Sequence, residues 1–161
     1  VGSEMCIRDS IGPIQSNKTR PIAEHFDWVH SIDRDKIARR LSEQRPAGKP
    51  PLAVCIEVNV SGEASKSGVA PAEVPALARL VAALPNLQLR GLMAIPEPSD
   101  DPAVQRARFA TLRGLLEALN REGLQLDTLS MGMSADMEAA IAEGATMVRI
   151  GTAIFGERNR T

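Results

Sequence analysis

The stretch that decides the fold is SMGMSADMEAAIAEGATMVRIGTAIFG, which runs from Ser130 to Gly156. It contains two successive strand-to-loop units, and each ends in small residues that leave backbone N–H groups open. In a parallel β/α protein, the loops after the last two strands commonly form a phosphate site, because amides at a helix start carry partial positive charge. The stretch therefore predicts one side of a pocket for a phosphate-bearing cofactor.

Strands and helices alternate through the rest of the chain. Runs of apolar and β-branched residues predict strands at 28–32, 52–60, 87–95, 126–131 and 146–150, with Ile11 as the end of a further strand. Apolar residues at three- and four-residue spacing predict helices that follow Asp33 as N-cap, start at Pro71, run from about Asp101 to Glu122, and lie between a Ser134 cap and Gly144. This alternation predicts a parallel sheet with right-handed crossovers.

The fold class is α/β, and two architectures compete for it. A doubly wound open sheet lacks support here, because no Gly-x-Gly-x-x-Gly turn marks a dinucleotide fold. A (β/α)8 TIM-type barrel fits better, since candidate site residues fall where strands end, at 61, 93–96, 131–134 and 151–152. A complete barrel typically needs about 250 residues, whereas this chain has 161. We therefore expect an incomplete barrel.

Composition argues against several classes of function. The chain is 43% hydrophobic and 24% charged with a net charge of −1, which indicates a globular domain without the basic surface that nucleic acid or an anionic membrane needs. Two cysteines and two histidines give no zinc-like spacing, so we expect no metal site. No apolar run approaches the roughly 20 residues of a membrane span. We expect a cytoplasmic protein.

The chain divides into three parts. Residues 1–10 show neither helical nor strand periodicity, join abruptly onto Ile11-Gly12-Pro13, and are expected to be a non-native leader. Residues 11–158 form the partial barrel domain, and residues 159–161 are a tail.

Several motifs together carry a family resemblance. They are Ile11 to Lys18 (IGPIQSNK), Asn59 with Lys66-Ser67-Gly68, Gly91 to Ile95 (GLMAI), Gly132 to Glu138 (GMSADME), and Val148 to Gly156 (VRIGTAIFG). The chain resembles the pyridoxal 5′-phosphate (PLP) homeostasis protein family, single-barrel relatives of the alanine racemase N-terminal domain. The resemblance covers residues 11–158.

The resemblance implies a fold-type III PLP-binding barrel that takes part in intracellular vitamin B6 homeostasis without established turnover. Family members hold PLP as a Schiff base on a lysine at the end of the first strand. By this resemblance we expect that strand, the second and most of the third to be absent here. None of Lys18, Lys36, Lys49 and Lys66 is expected to occupy the family's position. The resemblance also implies a monomer at full length, with PLP-dependent apoenzymes as possible recipients of the cofactor.

The resemblance also assigns cofactor-binding roles to individual residues. Arg149 would face the pyridine nitrogen of PLP, and Ser134, Gly151 and Thr152 would bind the phosphate. Met93 and Gly132 complete the predicted set; Met93 would pack in the barrel interior or on the ring. The alternative for Arg149 is a structural arginine paired with a carboxylate, and for Ser134 a helix cap. Asp136 and Glu138 would repel a phosphate, so their side chains are expected to point away from it.

Two other functions stay open from the sequence. A fold-type III amino-acid racemase of the alanine type uses a tyrosine opposite the lysine, and this chain has no tyrosine. A sugar-phosphate barrel enzyme would suit the tail loops, but no convincing acid/base carboxylate pair appears elsewhere in the sequence.

Overall fold

The computed structural model describes residues 7–62 and 67–156, which build one six-stranded parallel sheet with helices on its outer face. The strands follow one another in chain order across the sheet, β1-β2-β3-β4-β5-β6, and every pairing is parallel. Such an order, with a helix between most neighbours, is that of an open part of a (β/α)8 barrel. The expected architecture is confirmed.

The elements have the following bounds. The strands are β1 Asp9–Ser10, β2 Trp28–Ile32, β3 Leu52–Glu57, β4 Leu87–Met93, β5 Thr128–Met133 and β6 Met147–Arg149. The helices are α1 Thr19–His25, α2 Asp35–Gln44, α3 Val74–Ala83 preceded by a 3₁₀ turn at Pro71–Glu73, α4 Pro102–Arg121, α5 Met137–Ala142 and α6 Thr152–Phe155.

The first strand ends at Ser10, one residue earlier than the sequence predicts. Asp9 and Ser10 pair with Trp28 and Val29, so the end of the expected leader forms an edge of the sheet. Residues 1–6 lie outside the described residues. The division of the chain at residue 10 stays a prediction.

The outer face of the sheet packs against the helices. All six residues of β3 are buried, and Val54 and Ile56 alternate with Cys55 and Glu57 along the strand. Val54 and Ile56 belong to the hydrophobic cluster under the helices, as does Phe109 of α4. The second pair does not, since Cys55 and Glu57 face the concave inner side. Alternation therefore separates an apolar outer core from a polar inner face.

The sheet is strongly curved. His30 on β2 and Ser130 on β5 lie three strands apart, which is about 14 Å in a flat sheet. Nevertheless His30 Nδ1 is 2.8 Å from the Ser130 hydroxyl. Side chains on the concave face can meet at this distance only because the sheet rolls toward a barrel.

Two helix starts differ from the sequence prediction. Arg34, not Asp33, is the N-cap of α2, and no side chain caps that helix. Asp136, not Ser134, is the N-cap of α5. Ser134 lies two residues before the cap of α5 and Asp33 one residue before that of α2, so both expected caps are wrong. The predicted start of α4 is confirmed, because the Asp101 carboxylate accepts from the Ala103 amide at 2.9 Å.

Close backbone packing explains Gly91 on β4. A Cβ at this position would lie 1.8 Å from the Thr128 carbonyl oxygen on the neighbouring strand, where even a methyl group has no room. The residue therefore fixes how closely β4 and β5 approach. Within ranges 7–62 and 67–156, no helix is long and apolar enough to cross a membrane.

Candidate functional site

A groove of about 880 Å³ opens at the carboxyl ends of the strands. Its walls come from opposite edges of the sheet, with Asp9 and Ile11 on one side and the end of β6 on the other. The remaining lining consists of Ile95, Pro96, Pro98, Met133, Ser134, Ala135, Asp136 and the segment 148–152. Apolar walls with a few polar groups are typical of a small-molecule site. Four of the six predicted site residues, Ser134, Arg149, Gly151 and Thr152, line this groove.

Arg149 is held at the inner end of the groove by two neutral acceptors. Its Nη1 donates to the Ser130 hydroxyl at 2.7 Å, and its Nη2 donates to the Ala94 carbonyl at 2.8 Å. A guanidinium has five N–H donors, so these two bonds fix its plane and leave donors over. These two bonds therefore orient the side chain, and the described residues leave some of its N–H donors for other acceptors.

The charge of Arg149 has no ion-pair partner in the described parts of the chain. No described carboxylate lies within 4.0 Å of its guanidinium. Burial lowers the pKa of Arg149, while the more distant charges of Asp136 and Glu57 act in the opposite direction. An arginine stays protonated in a protein all the same. The structural alternative, a pair with a neighbouring carboxylate, is therefore absent from the described residues.

Ser134 and the start of α6 meet at the outer end of the groove. The Ser134 hydroxyl accepts from the Ala153 amide at 3.3 Å, so it sits beside the first turn of α6 and not on α5. A Cβ on Gly151 would meet no atom within 4 Å, which leaves the backbone of this residue open. A hydroxyl beside backbone that a ligand can approach closely suits an anionic oxygen group.

Asp136 opposes an anion at this place. It lines the groove, which corrects the expectation that its side chain points away. Its Oδ1 accepts from the Met133 amide at 2.7 Å, so part of its charge is used to hold the turn after β5. For a ligand with a negative group to bind, its attraction to Arg149 and the backbone must therefore contribute more binding free energy than repulsion by the Asp136 carboxylate costs.

Met93 and Gly132 do not line the groove. Met93 is fully buried and pairs in register with Glu57 and Ser130, so it shares the concave inner face with them. Gly132 has φ +101°, and its Cβ would lie 2.7 Å from Ala140 Cβ. It allows the irregular pairing of β5 with β6 between Ser130 and Met133. Their cofactor-binding roles stay predictions.

Sequence reasoning missed a polar network on the concave face. His30, Glu57 and Ser130 are all buried, and each lies in a strand that is otherwise mostly apolar. Burial raises the pKa of Glu57, whose Oε1 accepts from the Ser67 hydroxyl at 2.9 Å. In β5, Thr128 and Ser130 are buried polar residues two positions apart, and this spacing is a signal for an inner barrel face that could have identified Ser130.

The lysines do not converge on the groove. Lys18 precedes α1, Lys36 lies in α2, and the Lys49 ammonium donates to the Glu24 carbonyl at 2.5 Å. Lys66 lies outside the described residues. Of the three described lysines, none lines the groove.

The family is shown by a match along nearly the whole chain. Residues 5–159 match the family model of the alanine racemase N-terminal domain. The chain belongs to the alanine racemase N-terminal domain family. A PipY protein of Synechococcus elongatus, solved with PLP bound, is a structural relative in agreement with this membership: it has 37% sequence identity and a TM-score of 0.84 over 93% of this chain and 70% of its own.

Relatives with curated names point to the same branch of the alanine racemase N-terminal domain family. The pyridoxal phosphate homeostasis protein of Pseudomonas aeruginosa is 74% identical over 149 residues, which are 92% of this chain and 64% of the relative. The protein of the same name from Escherichia coli K12 is 57% identical over 149 residues. The chain thus spans 64% of the length of either relative. These matches confirm the family predicted from the sequence.

A more distant relative shows the fold alone. The alanine racemase of Clostridium difficile has 13% identity and a TM-score of 0.76, and the match covers 92% of this chain and 39% of the racemase. The β/α barrel architecture is therefore shared well beyond the homeostasis proteins. The racemase reaction does not follow from this likeness.

Proposed function

We propose that this chain supplies the side of a PLP site that binds the phosphate and faces the ring nitrogen. The protein to which it belongs would bind PLP in cytoplasmic vitamin B6 homeostasis and not turn over a substrate. The observation that carries the proposal is one groove with two distinct ends. A guanidinium that forms no ion pair with any described carboxylate lies at the inner end, and a hydroxyl beside sterically open backbone lies at the outer end.

The residues of the groove fit PLP in three respects. The apolar walls, including Ile95, Met133 and Val148, suit an aromatic ring. The open backbone at Gly151 and the neighbouring Thr152 suit a phosphate, because a side chain at 151 would obstruct its approach. The unspent donors of Arg149 suit a ring nitrogen with a free lone pair. The names of the relatives support the same ligand.

Arg149 also favours binding over catalysis. PLP supplies an aldehyde and, when its ring nitrogen is protonated, a strong electron sink. A guanidinium can only donate, so Arg149 would keep the ring nitrogen unprotonated and the sink weak. A site of this kind holds the cofactor without activating it strongly, as a carrier requires.

The wider role extends this proposal. A carrier that holds PLP without turnover has a use when it delivers the cofactor, so we include PLP-dependent apoenzymes as recipients and a monomer as the working form. The resemblance of the motifs to the homeostasis proteins supports this part.

The proposal is tested with a ligand that cannot form a Schiff base. Pyridoxine 5′-phosphate carries the ring nitrogen and the phosphate of PLP but lacks the aldehyde, so its affinity depends on non-covalent contacts. Calorimetric titration of the purified protein should show that it binds at least tenfold more tightly than pyridoxine, because charge-assisted hydrogen bonds to the phosphate contribute about 1.5–3 kcal/mol each. Equal affinity for the two ligands would refute a phosphate site.

A second titration separates this proposal from the sugar-phosphate alternative. We expect glucose 6-phosphate to compete poorly with pyridoxine 5′-phosphate, because the apolar walls of the groove offer few partners for sugar hydroxyls. Tighter binding of the sugar phosphate would favour the alternative.

A further inference from the structure

A buried chain of hydrogen bonds leads from Arg149 into the barrel interior. Arg149 Nη1 is 2.7 Å from the Ser130 hydroxyl, which is 2.8 Å from His30 Nδ1. His30 and Ser130 are buried to 2% and 0% exposure. Neither residue lines the groove, so both can reach a ligand there only through Arg149.

The direction of each proton in this chain follows from donor chemistry. A guanidinium has no acceptor, so the Ser130 oxygen must accept from Arg149. The hydroxyl proton of Ser130 is then free to point at His30 Nδ1, which accepts it only when that nitrogen carries no proton. Donation from Ser130 to His30 therefore requires the neutral tautomer of His30 with its proton on Nε2. The opposite direction, in which a protonated Nδ1 donates to the second lone pair of the Ser130 oxygen, is the alternative that the tautomer measurement below tests.

We propose that His30 and Ser130 are positioning residues that hold the Arg149 guanidinium in the plane from which it contacts the ring nitrogen of the cofactor. The inference rests on the proposed function and adds to it two residues that never touch the ligand. A proton on His30 Nδ1 would turn the Ser130 hydroxyl away and place a second positive charge beside Arg149. Neutral His30 is therefore the form in which the guanidinium is correctly held.

The surroundings of His30 agree with the neutral form. Burial lowers the pKa of His30, and the charge of Arg149 acts in the same direction. The Asp9 carboxylate, 3.2 Å from Nε2, raises the pKa and opposes burial. The ring of Trp28, 5.7 Å away between centroids, is the aromatic neighbour. Since Asp9 falls in the expected leader, the inference uses only the bonds among His30, Ser130 and Arg149.

The first test reads the tautomer without any ligand. Long-range ¹H–¹⁵N NMR of the histidine rings at pH 7 should show His30 with a bare Nδ1 and a protonated Nε2. A His30 that carries its proton on Nδ1, or both protons, would overturn the proposed relay.

The second test asks whether Ser130 acts on the ring nitrogen alone. Benzyl phosphate has the phosphate and an aromatic ring but no ring nitrogen, so it reports on the rest of the groove. In Ser130→Ala we expect about tenfold weaker binding of pyridoxine 5′-phosphate, the loss of one charge-assisted contact, and unchanged binding of benzyl phosphate. Ser42→Ala is the matched control, because Ser42 is another buried serine whose hydroxyl bonds a carbonyl, that of Pro85.

A second pair of variants guards against misfolding at Ser130. His30→Asn keeps an acceptor near the Nδ1 position, whereas His30→Leu removes it, so Asn should retain most of the affinity for pyridoxine 5′-phosphate and Leu should lose about tenfold. Equal loss for both phosphate ligands, or equal behaviour of Asn and Leu, would overturn the positioning role alone. Failure of the unaltered protein to bind pyridoxine 5′-phosphate would instead overturn the proposed function together with this inference.

Discussion

Arg90 lies toward the amino end of the sheet and Arg149 at the carboxyl end, and the surroundings of the two charges differ. At the amino end, Arg90 donates to both carboxylate oxygens of Asp127, at 3.0 and 2.9 Å, and lies 4.8 Å from the centroid of the Trp28 ring. At the carboxyl end, Arg149 bonds a hydroxyl and a carbonyl. The charge of Arg90 is neutralised within the fold, whereas that of Arg149 has no ion-pair partner among the described residues.

Neutral acceptors alone do not mark a binding site, as Arg45 shows. Arg45 is buried and bonds three carbonyls, those of Ala23, Phe26 and Pro50, the first two at the end of α1. A cation belongs there, because carbonyls at a helix end carry partial negative charge. Arg149 differs because it opens onto a groove. The combination of an unpaired charge and accessible space is what indicates function.

The largest effect on ligand affinity should come from substituting Arg149, with the same substitution of Arg90 as the control. Arg149→Gln removes the cation from the groove, and we expect pyridoxine 5′-phosphate to bind about ten- to a hundredfold more weakly, since hydrogen bonds to charged groups contribute about 1.5–3 kcal/mol. Arg90→Gln should leave the affinity unchanged. Calorimetric titration measures both. A loss of affinity in the Arg90 variant equal to that in the Arg149 variant would remove the distinction between the two ends.

The next effect concerns the open backbone of Gly151. Its φ of −118° is accessible to any residue and its Cβ position is empty, so Gly151→Ala should not change the melting temperature measurably. The added methyl should nevertheless obstruct the phosphate and weaken the binding of pyridoxine 5′-phosphate by about tenfold, the equivalent of one lost hydrogen bond. Thermal melts and titrations of the same preparation check both halves. Unchanged affinity would place the phosphate elsewhere.

Glu57, on the concave face of the sheet, should make the free energy of unfolding depend on pH. Its pKa is raised above 4.5 chiefly by burial, so between 4.5 and the folded value the native state binds more protons than the unfolded chain. The contribution of Glu57 to the free energy of unfolding is therefore fully present below pH 4.5 and is lost as the pH rises through the pKa of the folded state. Glu57→Gln keeps an acceptor for Ser67 and should flatten that part of the profile. Chemical denaturation at several pH values measures it, and an unchanged slope would contradict the assignment.

The smallest effect is expected at the amino end. Asp127→Asn breaks the paired charges of Arg90 and Asp127, but Asp127 is 61% exposed and water screens the pair. We expect a loss of at most about 1 kcal/mol in the free energy of unfolding and no change in ligand affinity. Urea denaturation checks the first and titration the second. A weakened ligand affinity would show that this end also contributes to binding.

Local patterns predicted the fold well. Trp28–Ile32 has the bounds that the sequence gives it, and Gly123 ends α4 with φ +102° as expected. The helix caps at Asp33 and Ser134 were wrong, because a cap depends on one residue of register that apolar periodicity does not determine. Ser134 lies beside α6 instead, since the turn after β5 is closed by Asp136.

The site was predictable in part. Arg149 is the last residue of β6, and Gly151 and Thr152 follow it, so all three had to lie at one edge of a parallel sheet. The contact of Ser130 with His30 joins residues 100 positions apart and exists only because the sheet curves. No local pattern contains that curvature, so the network behind Arg149 could not be derived from the sequence.

The most direct test is a crystal structure of the protein with pyridoxine 5′-phosphate. We expect the phosphate within hydrogen-bonding distance, about 3 Å, of the Ser134 hydroxyl and of the backbone of Gly151 and Thr152. The ring nitrogen should face Arg149. A ligand bound elsewhere, with Arg149 facing only water, would contradict this expectation.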